Sequence, residues 1–144
     1  MTALFRHIHR ALQPGGVMVF STLGPGSLQE LKRAWQSVDD HQHVNDFIPV
    51  RELENAILGS GFATLELRRR RQVLHYPKLQ RLTRELKGIG AHNLNDKRPS
   101  GLVSRAKLTR LISSYERYRN DNGLLPATYE VVYGVLRKSR LERN

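Results

Sequence analysis

The chain has 144 residues and a formal net charge of +11, from 24 Lys and Arg against 13 Asp and Glu. We expect residues 1–144 to form a single domain, because this length suits one hydrophobic core. There is no cysteine, which excludes disulfides and thiolate metal sites and favours the cytoplasm. No apolar run approaches the roughly 20 residues of a transmembrane helix, so we expect no membrane contact.

The positive charge predicts an anionic partner. Nucleic acid, an acidic protein and an anionic lipid surface all fit this charge. A basic surface that is merely solvated fits it as well, so charge alone does not choose among them.

The first elements follow an α/β pattern. Apolar residues recur every four positions, and Pro-Gly-Gly at 14–16 then ends the predicted helix. The run 17–22 is apolar and β-branched, which is typical of a buried strand. The predicted helix face consists of Leu4, Ile8 and Leu12.

Two helices and a long strand are predicted next. Ser27 and Glu30 have the spacing of a capping box for a helix, and Pro49 begins a short helix that ends at the glycines 59 and 61. From Phe62 apolar and polar residues alternate, which predicts an extended strand near a sheet edge. The apolar stripe of the helix after Ser27 consists of Leu28, Leu31, Trp35 and Val38.

The last third predicts two more helices and a final strand. Pro77 begins one helix and Ser104 caps the other. A turn at 121–123 precedes the strand 129–136, and a charged tail from Arg137 is expected to fray. A polar loop is predicted at 92–100. The helix stripes are Leu79, Leu82, Leu86 and Ile89, and Leu108, Leu111, Ile112 and Tyr115.

This order of elements resembles the second half of a class I methyltransferase. The phrase 12–19, LQPGGVMV, is similar to the link between the helix after strand four and strand five of that superfamily. The segments 20–31 (FSTLGPGSLQEL, followed by Trp35), 86–93 (LKGIGAHN) and 126–131 (PATYEV) resemble the family of malonyl-carrier-protein O-methyltransferases. The resemblance implies a partial Rossmann-like fold of α/β class, with three strands in the spatial order five, seven, six.

The resemblance also implies an activity. Members of the family use S-adenosylmethionine to methylate the free carboxylate of a malonyl thioester on acyl carrier protein, in biotin synthesis. A Gly-rich turn after the first strand binds the cofactor in such folds, and this sequence has none. We therefore expect the chain to be a carboxyl-terminal fragment that binds no S-adenosylmethionine and is inactive alone, so no catalytic residue is assigned.

Arg84 and Lys87 are the candidate substrate-binding residues. The resemblance places them on a lid helix over the substrate pocket, within inserted helices at 77–120. A malonyl carboxylate needs a cationic clamp, and the planar guanidinium of arginine suits it best. Both residues lie off the leucine stripe, however, where cations are usually only solvated.

Arg69 and Arg71 are the candidate contacts to the carrier protein. They lie in the run of four arginines at 68–71, near the carboxyl end of the predicted strand, where doubly wound folds bind ligands. Protection of an exposed sheet edge by charge explains the run equally well.

Two further groups of side chains give weaker signals. His41 and His43 lie near Asp39, Asp40 and Asp46 without a recognised ligand spacing, so we expect no metal site. Tyr115 and Tyr118 beside Arg117 and Arg119 are a mixture found in nucleic-acid-binding proteins. Tyr115 is explained more simply as a core residue. We therefore do not expect nucleic acid as a partner.

The alternatives to a methyltransferase fragment are a basic nucleic-acid-binding module and an inert remnant. In the whole family fold strand four would pair with the strand at 17–22. We therefore expect an exposed apolar edge there and a homodimer or higher oligomer built around it.

Overall fold

The computed structural model describes residues 1–89 and 104–140. Helices and strands alternate in this part of the chain. The helices are α1 Thr2–Ala11, α2 Gln29–Gln36, α3 Val50–Leu58, α4 Leu79–Gly88 and α5 Arg105–Glu116. The strands are β1 Val17–Leu23, β2 Ala63–Tyr76 and β3 Leu125–Arg137. None of the described helices has the length and apolar character needed to cross a membrane.

The three strands form one sheet in the order β1-β3-β2. β1 runs antiparallel to β3, with Val17 opposite Arg137 and Leu23 opposite Val131. The last strand in the sequence therefore lies between the other two, which confirms the predicted order and the α/β class. In the described sheet β1 and β2 are the edge strands.

The chain divides into two compact units, and the first comprises Met1–Pro25, Phe47–Arg71 and Glu130–Asn144. In it α1 packs against α3. Pro49 is the N-cap of α3 and Gly59 its C-cap, as the sequence predicted. The buried core of this unit consists of Phe5, Leu53, Ala56, Ile57, Phe62, Val132 and Leu136.

Gly134 on β3 makes room for an aromatic ring in this unit. Phe20 on β1 lies opposite Gly134 in the strand register, and a Cβ at Gly134 would lie 2.2 Å from the Phe20 ring. That ring packs on Phe5 of α1 at a centroid distance of 5.6 Å. A glycine in mid-strand thus allows close backbone approach of the ring to the sheet.

The second unit comprises Gly26–Asp46 and Gln72–Tyr129. In it α2 packs against α5, and Ser104 caps α5 by accepting a hydrogen bond from the Lys107 amide at 3.3 Å. The described parts of the predicted lid segment 77–120 fall in this unit. Residues 90–103 lie outside the described residues, and they include the predicted loop at 92–100 and the second half of the family phrase at 86–93. The role of the segment 77–120 as a lid, and the single domain, stay predictions.

Three predicted apolar stripes need correction at their ends. In α1 the buried residue is Phe5, at 3% exposure, whereas Leu4 is 54% exposed. Steps of four overshoot a 3.6-residue turn, so Leu4 drifts off the face on which Ile8 and Leu12 contact the core. Ile89 is 76% exposed and Leu108 is also exposed, since each lies at or near the end of its helix.

The predicted capping box is wrong. The N-cap of α2 is Leu28, not Ser27, and its φ of 54° places it in the left-handed region. Glu30, the other half of the predicted box, instead accepts hydrogen bonds from Thr128 on β3. The final strand also begins four positions earlier than predicted, at Leu125.

Candidate functional site

The turn after β1 is closed by the neighbouring strand. The Gly24 amide donates to the carbonyl of Glu130 at 2.7 Å. A Cβ at Gly24 would lie 2.8 Å from the carboxyl carbon of Glu130. The Glu130 side chain occupies the space beside Gly24, so a larger residue at this position would have to displace it.

Glu30 is a buried carboxylate that joins α2 to the start of β3. Its Oε2 accepts the Thr128 amide at 3.0 Å, and its Oε1 accepts the Thr128 hydroxyl at 2.5 Å. The Leu28 amide donates to the Thr128 carbonyl at 2.7 Å. The polar groups of Thr128 are therefore satisfied by α2, which fixes where the helix begins.

Three tyrosines of the second unit lie around the end of β2 and the start of β3. The Tyr76 hydroxyl donates to Oε2 of Glu85 on α4 at 2.8 Å, and Tyr129 shares a hydrogen bond with Tyr76. The Tyr115 hydroxyl donates to the Pro126 carbonyl at 2.9 Å. Burial, the largest cause, raises the pKa of all three phenols above the ordinary value, so they remain neutral donors.

Arg84 and Lys87 lie on the exposed side of α4, as the sequence predicted, while Leu79, Leu82 and Leu86 are buried on the other side. Neither cation has an ion-pair partner among residues 1–89 and 104–140. Neither residue lines the cavity beside the end of α2 that is described below. Both side chains are therefore available to an anion that approaches from solvent.

Arg69 and Arg71 lie on the edge strand β2 and are exposed. Arg69 Nη1 is 3.7 Å from the Glu130 carboxylate on the adjacent strand, and Arg68 pairs with Glu66 on its own strand. Arg71 has no ion-pair partner among the described residues. Arg68 and Arg69 therefore have intramolecular partners, whereas Arg70 and Arg71 are exposed without an ion pair to the described residues.

A cavity of about 300 Å³ lies beside the end of α2 and the following loop. The Trp35 and His43 rings stack at its wall, with centroids 3.6 Å apart and planes 10° apart. Asp39 joins the loop to α5, because its carboxylate accepts from His43 Nε2 at 2.7 Å and from Lys107 Nζ at 2.6 Å.

The electrostatics of Asp39 follow from these contacts. Burial opposes ionisation and is the largest single influence on its pKa. The hydrogen bonds from Lys107, from His43 and from the His41 amide together outweigh burial and hold the pKa well below its usual range. No group of three or more His, Asp or Glu in the described residues is arranged to hold a metal ion.

Four residues that hold the second unit together were not predicted in these roles: Glu30, Thr128, Tyr76 and Glu85. A signal for two of them was present, because Glu30 and Thr128 lie in the segments 20–31 and 126–131 that carry the family resemblance. Tyr115 is fully buried, which confirms its interpretation as core. The Arg117 guanidinium lies over the Tyr118 ring, 5.1 Å from its centroid.

Comparison with known proteins gives three kinds of match. A family model described as a methyltransferase domain matches residues 1–67. A malonyl-[acyl-carrier protein] O-methyltransferase of Laribacter hongkongensis is 43% identical over 92% of this chain and 44% of its own length. The protein of the same name from Serratia marcescens is 40% identical over 94% of this chain and 51% of its own length.

A third relative, the biotin biosynthesis bifunctional protein BioHC of Cellvibrio japonicus, is 46% identical over 94% of the chain and 27% of its own length. The fold is similar to a solved Bacillus halodurans protein provisionally assigned as a methyltransferase, with a TM-score of 0.54 over 96% of this chain and 58% of that one at 12% identity. The chain thus spans about a quarter to a half of the curated relatives it matches. The resemblance found in the sequence is confirmed over nearly all of its 144 residues.

Proposed function

We propose that this chain is the substrate-side part of an S-adenosylmethionine-dependent O-methyltransferase that acts on the free carboxylate of malonyl-acyl carrier protein, in the cytoplasm, during biotin synthesis. The observation that supports this proposal is identity of 36–46% to proteins of that name and that pathway over about nine-tenths of the chain. A methyltransferase domain model and a methyltransferase-like fold agree with it.

We infer that the described residues do not hold the cofactor. The turn at 24–26 is the only Gly-rich segment that follows a described strand and precedes a described helix, and the Glu130 side chain occupies the space beside Gly24. We therefore propose that S-adenosylmethionine binds to a part of the enzyme that these 144 residues do not contain, and that they are inactive without it.

Arg84 and Lys87 are the proposed contacts to the malonyl carboxylate. A carboxylate is already ionised near neutral pH, so the protein must hold it in place rather than deprotonate it. Arg84 offers a planar pair of donors. Its neighbour Glu85 is engaged by the Tyr76 hydroxyl, which reduces competition for the guanidinium.

Arg69 and Arg71 are the proposed contacts to the carrier protein. Of the two, Arg71 is the better candidate, because Arg69 lies within reach of Glu130. We further propose that the chain self-associates through the β1 edge. A nucleic-acid-binding module is the second candidate function, favoured by the net charge of +11.

Reconstitution tests the proposed activity. The chain would be mixed with the portion of the Serratia marcescens relative that it does not match, and methyl transfer from labelled S-adenosylmethionine to malonyl-acyl carrier protein would be measured. We expect transfer in the mixture and none with either part alone. Acetyl-carrier protein, which has no free carboxylate, is the control acceptor. Absence of transfer, while the intact relative works in the same assay, would contradict the proposal.

Arg84→Ala in the reconstituted enzyme tests the carboxylate contact. Loss of a charge-assisted hydrogen bond should reduce transition-state stabilisation by about 2–3 kcal/mol, measured from the fall in kcat/KM for malonyl-carrier protein. The affinity for the cofactor should be unchanged. Arg51→Ala, which removes an exposed arginine from α3, is the matched control. Full activity of the Arg84 variant would show that this side chain is only solvated.

A further inference from the structure

The outer face of α4, defined here as Arg81, Arg84 and Lys87, is a concentrated positive surface. At about 100° per residue, the buried leucines of the helix fall within about 60° of one another. Arg84 points almost directly away from them, and Arg81 and Lys87 lie about 60° to either side of Arg84. All three side chains are exposed.

The charges on this face are not neutralised within the described part of the chain. Glu85 is the only acidic residue of α4, and its carboxylate accepts the Tyr76 hydroxyl. None of the three cations forms an ion pair with residues 1–89 or 104–140. Cations three residues apart on a helix repel one another, so Arg81, Arg84 and Lys87 do not stabilise each other.

The position of these charges along the helix also opposes stability. Lys78 is the N-cap of α4 and Arg81 lies in its first turn, where no acidic residue is present. The amino-terminal end of a helix dipole is positive and favours anions. The helix dipole therefore does not account for Arg81, whereas an external anion bound at this end would.

Hydrogen bonds connect α4 and the residue before it to neighbouring elements. Tyr76 at the end of β2 bonds to Glu85 on the helix, and Arg119 Nη1 donates to the carbonyl of Pro77, just before the helix, at 3.3 Å. The leucine side of α4 is buried. The outer face therefore projects its cations along about 9 Å of a fixed helix axis.

We propose that the outer face of α4 docks an acidic helix of the acyl carrier protein. Arg81 is the contact specific to this docking, because binding of a single malonyl carboxylate does not require it. This inference rests on the proposed function and adds a partner surface to it. One carboxylate occupies one guanidinium, whereas three cations spread over a convex face match carboxylates spaced by one helical turn on a partner. A duplex nucleic acid is the competing anion and is an outcome of the test.

The test uses the 144-residue chain and holo acyl carrier protein that bears no malonyl group, so that docking is separated from methyl transfer. Binding would be measured by titration calorimetry at low and moderate salt, for the unmodified chain and for Arg81→Glu, Arg81→Gln and Arg51→Glu. Arg51→Glu makes the same charge change on an exposed position of α3. An unchanged thermal unfolding midpoint in each variant excludes misfolding.

We expect binding that weakens with salt, a loss of about tenfold or more for Arg81→Glu, a smaller loss for Arg81→Gln, and little change for Arg51→Glu. Equal losses for Arg81→Glu and Arg51→Glu, or no binding of the carrier, would overturn the inference. Preferential binding of duplex DNA that depends on Arg81 would overturn it in favour of a nucleic-acid surface. If Arg81-dependent docking is found but the reconstituted enzyme transfers no methyl group, the proposed activity fails and the docking surface stands.

Discussion

Glu30 shows how a single residue is given its role by a distant partner. Its carboxylate meets Thr128, which is 98 residues later in the chain. The two hydrogen bonds between them pin the start of α2, and Leu28 next to them adopts a left-handed φ of 54°. Such a conformation costs a leucine about 1 kcal/mol. The bonds of Leu28 and Glu30 to Thr128 offset that cost.

The ionised side chain of Asp39 should make a measurable contribution to the free energy of unfolding. Because its folded-state pKa is held below the unfolded value of 3.8, its contribution is complete well above that value and is lost as the pH falls through and below it. Asp39→Asn should lower the free energy of unfolding by about 1–3 kcal/mol near neutrality. The difference from the unmodified chain should shrink towards about pH 3.

Urea unfolding at both pH values measures this difference, with the single tryptophan, Trp35, as the fluorescent probe. Trp35 stacks on His43, which bonds to Asp39, so the probe lies in the region that is changed. Asp40→Asn alters an exposed neighbouring carboxylate and is the control. An Asp39 effect that is the same at both pH values would contradict the argument.

At the scale of elements, β1 is an edge strand with exposed apolar side chains. It pairs with β3 and lies at the edge of the described sheet, and Val19 on it is 73% exposed. Val17 and Tyr133 are also exposed apolar residues of this strand pair. An unpaired apolar edge of this kind favours pairing with another chain.

Val19→Lys tests whether that edge drives self-association. We expect the unmodified chain to form a dimer or higher oligomer, and the charged side chain on β1 to weaken the association by about tenfold or more. Light scattering after size exclusion at several concentrations measures the change. Leu58→Lys, which replaces a leucine that is 67% exposed on α3, is the control. A monomer at every concentration without any substitution would show that the edge needs no partner.

At the scale of the whole molecule, no Gly-rich turn among residues 1–89 and 104–140 follows the first strand of a Rossmann-like half. We therefore expect no saturable binding of S-adenosylmethionine to the 144 residues at micromolar concentrations, measured by titration calorimetry. The reconstituted mixture should bind it. One-to-one binding by the chain alone would contradict this expectation, and would require a cofactor site that the turn at 24–26 does not provide.

The sequence alone determined the features that depend on neighbouring residues. Pro49 and Gly59 bound α3, Ser104 caps α5, and Gly123 turns the chain with a φ of 73°. Each of these acts within about one helical turn or one β-turn, so its signal is complete in a few residues. The family resemblance, carried by whole phrases, determined the strand order as well.

Tertiary structure decided what depends on residues far apart in the chain. Glu30 has the spacing of a capping residue, and only the approach of Thr128 makes it a buried acceptor. Leu4 and Phe5 are both apolar, and the cluster formed with Leu53, Ile57 and the Phe20 ring of β1 selects Phe5 for the core. Burial and hydrogen-bond partners are properties of three-dimensional contact, so local sequence patterns propose several candidates and packing selects one.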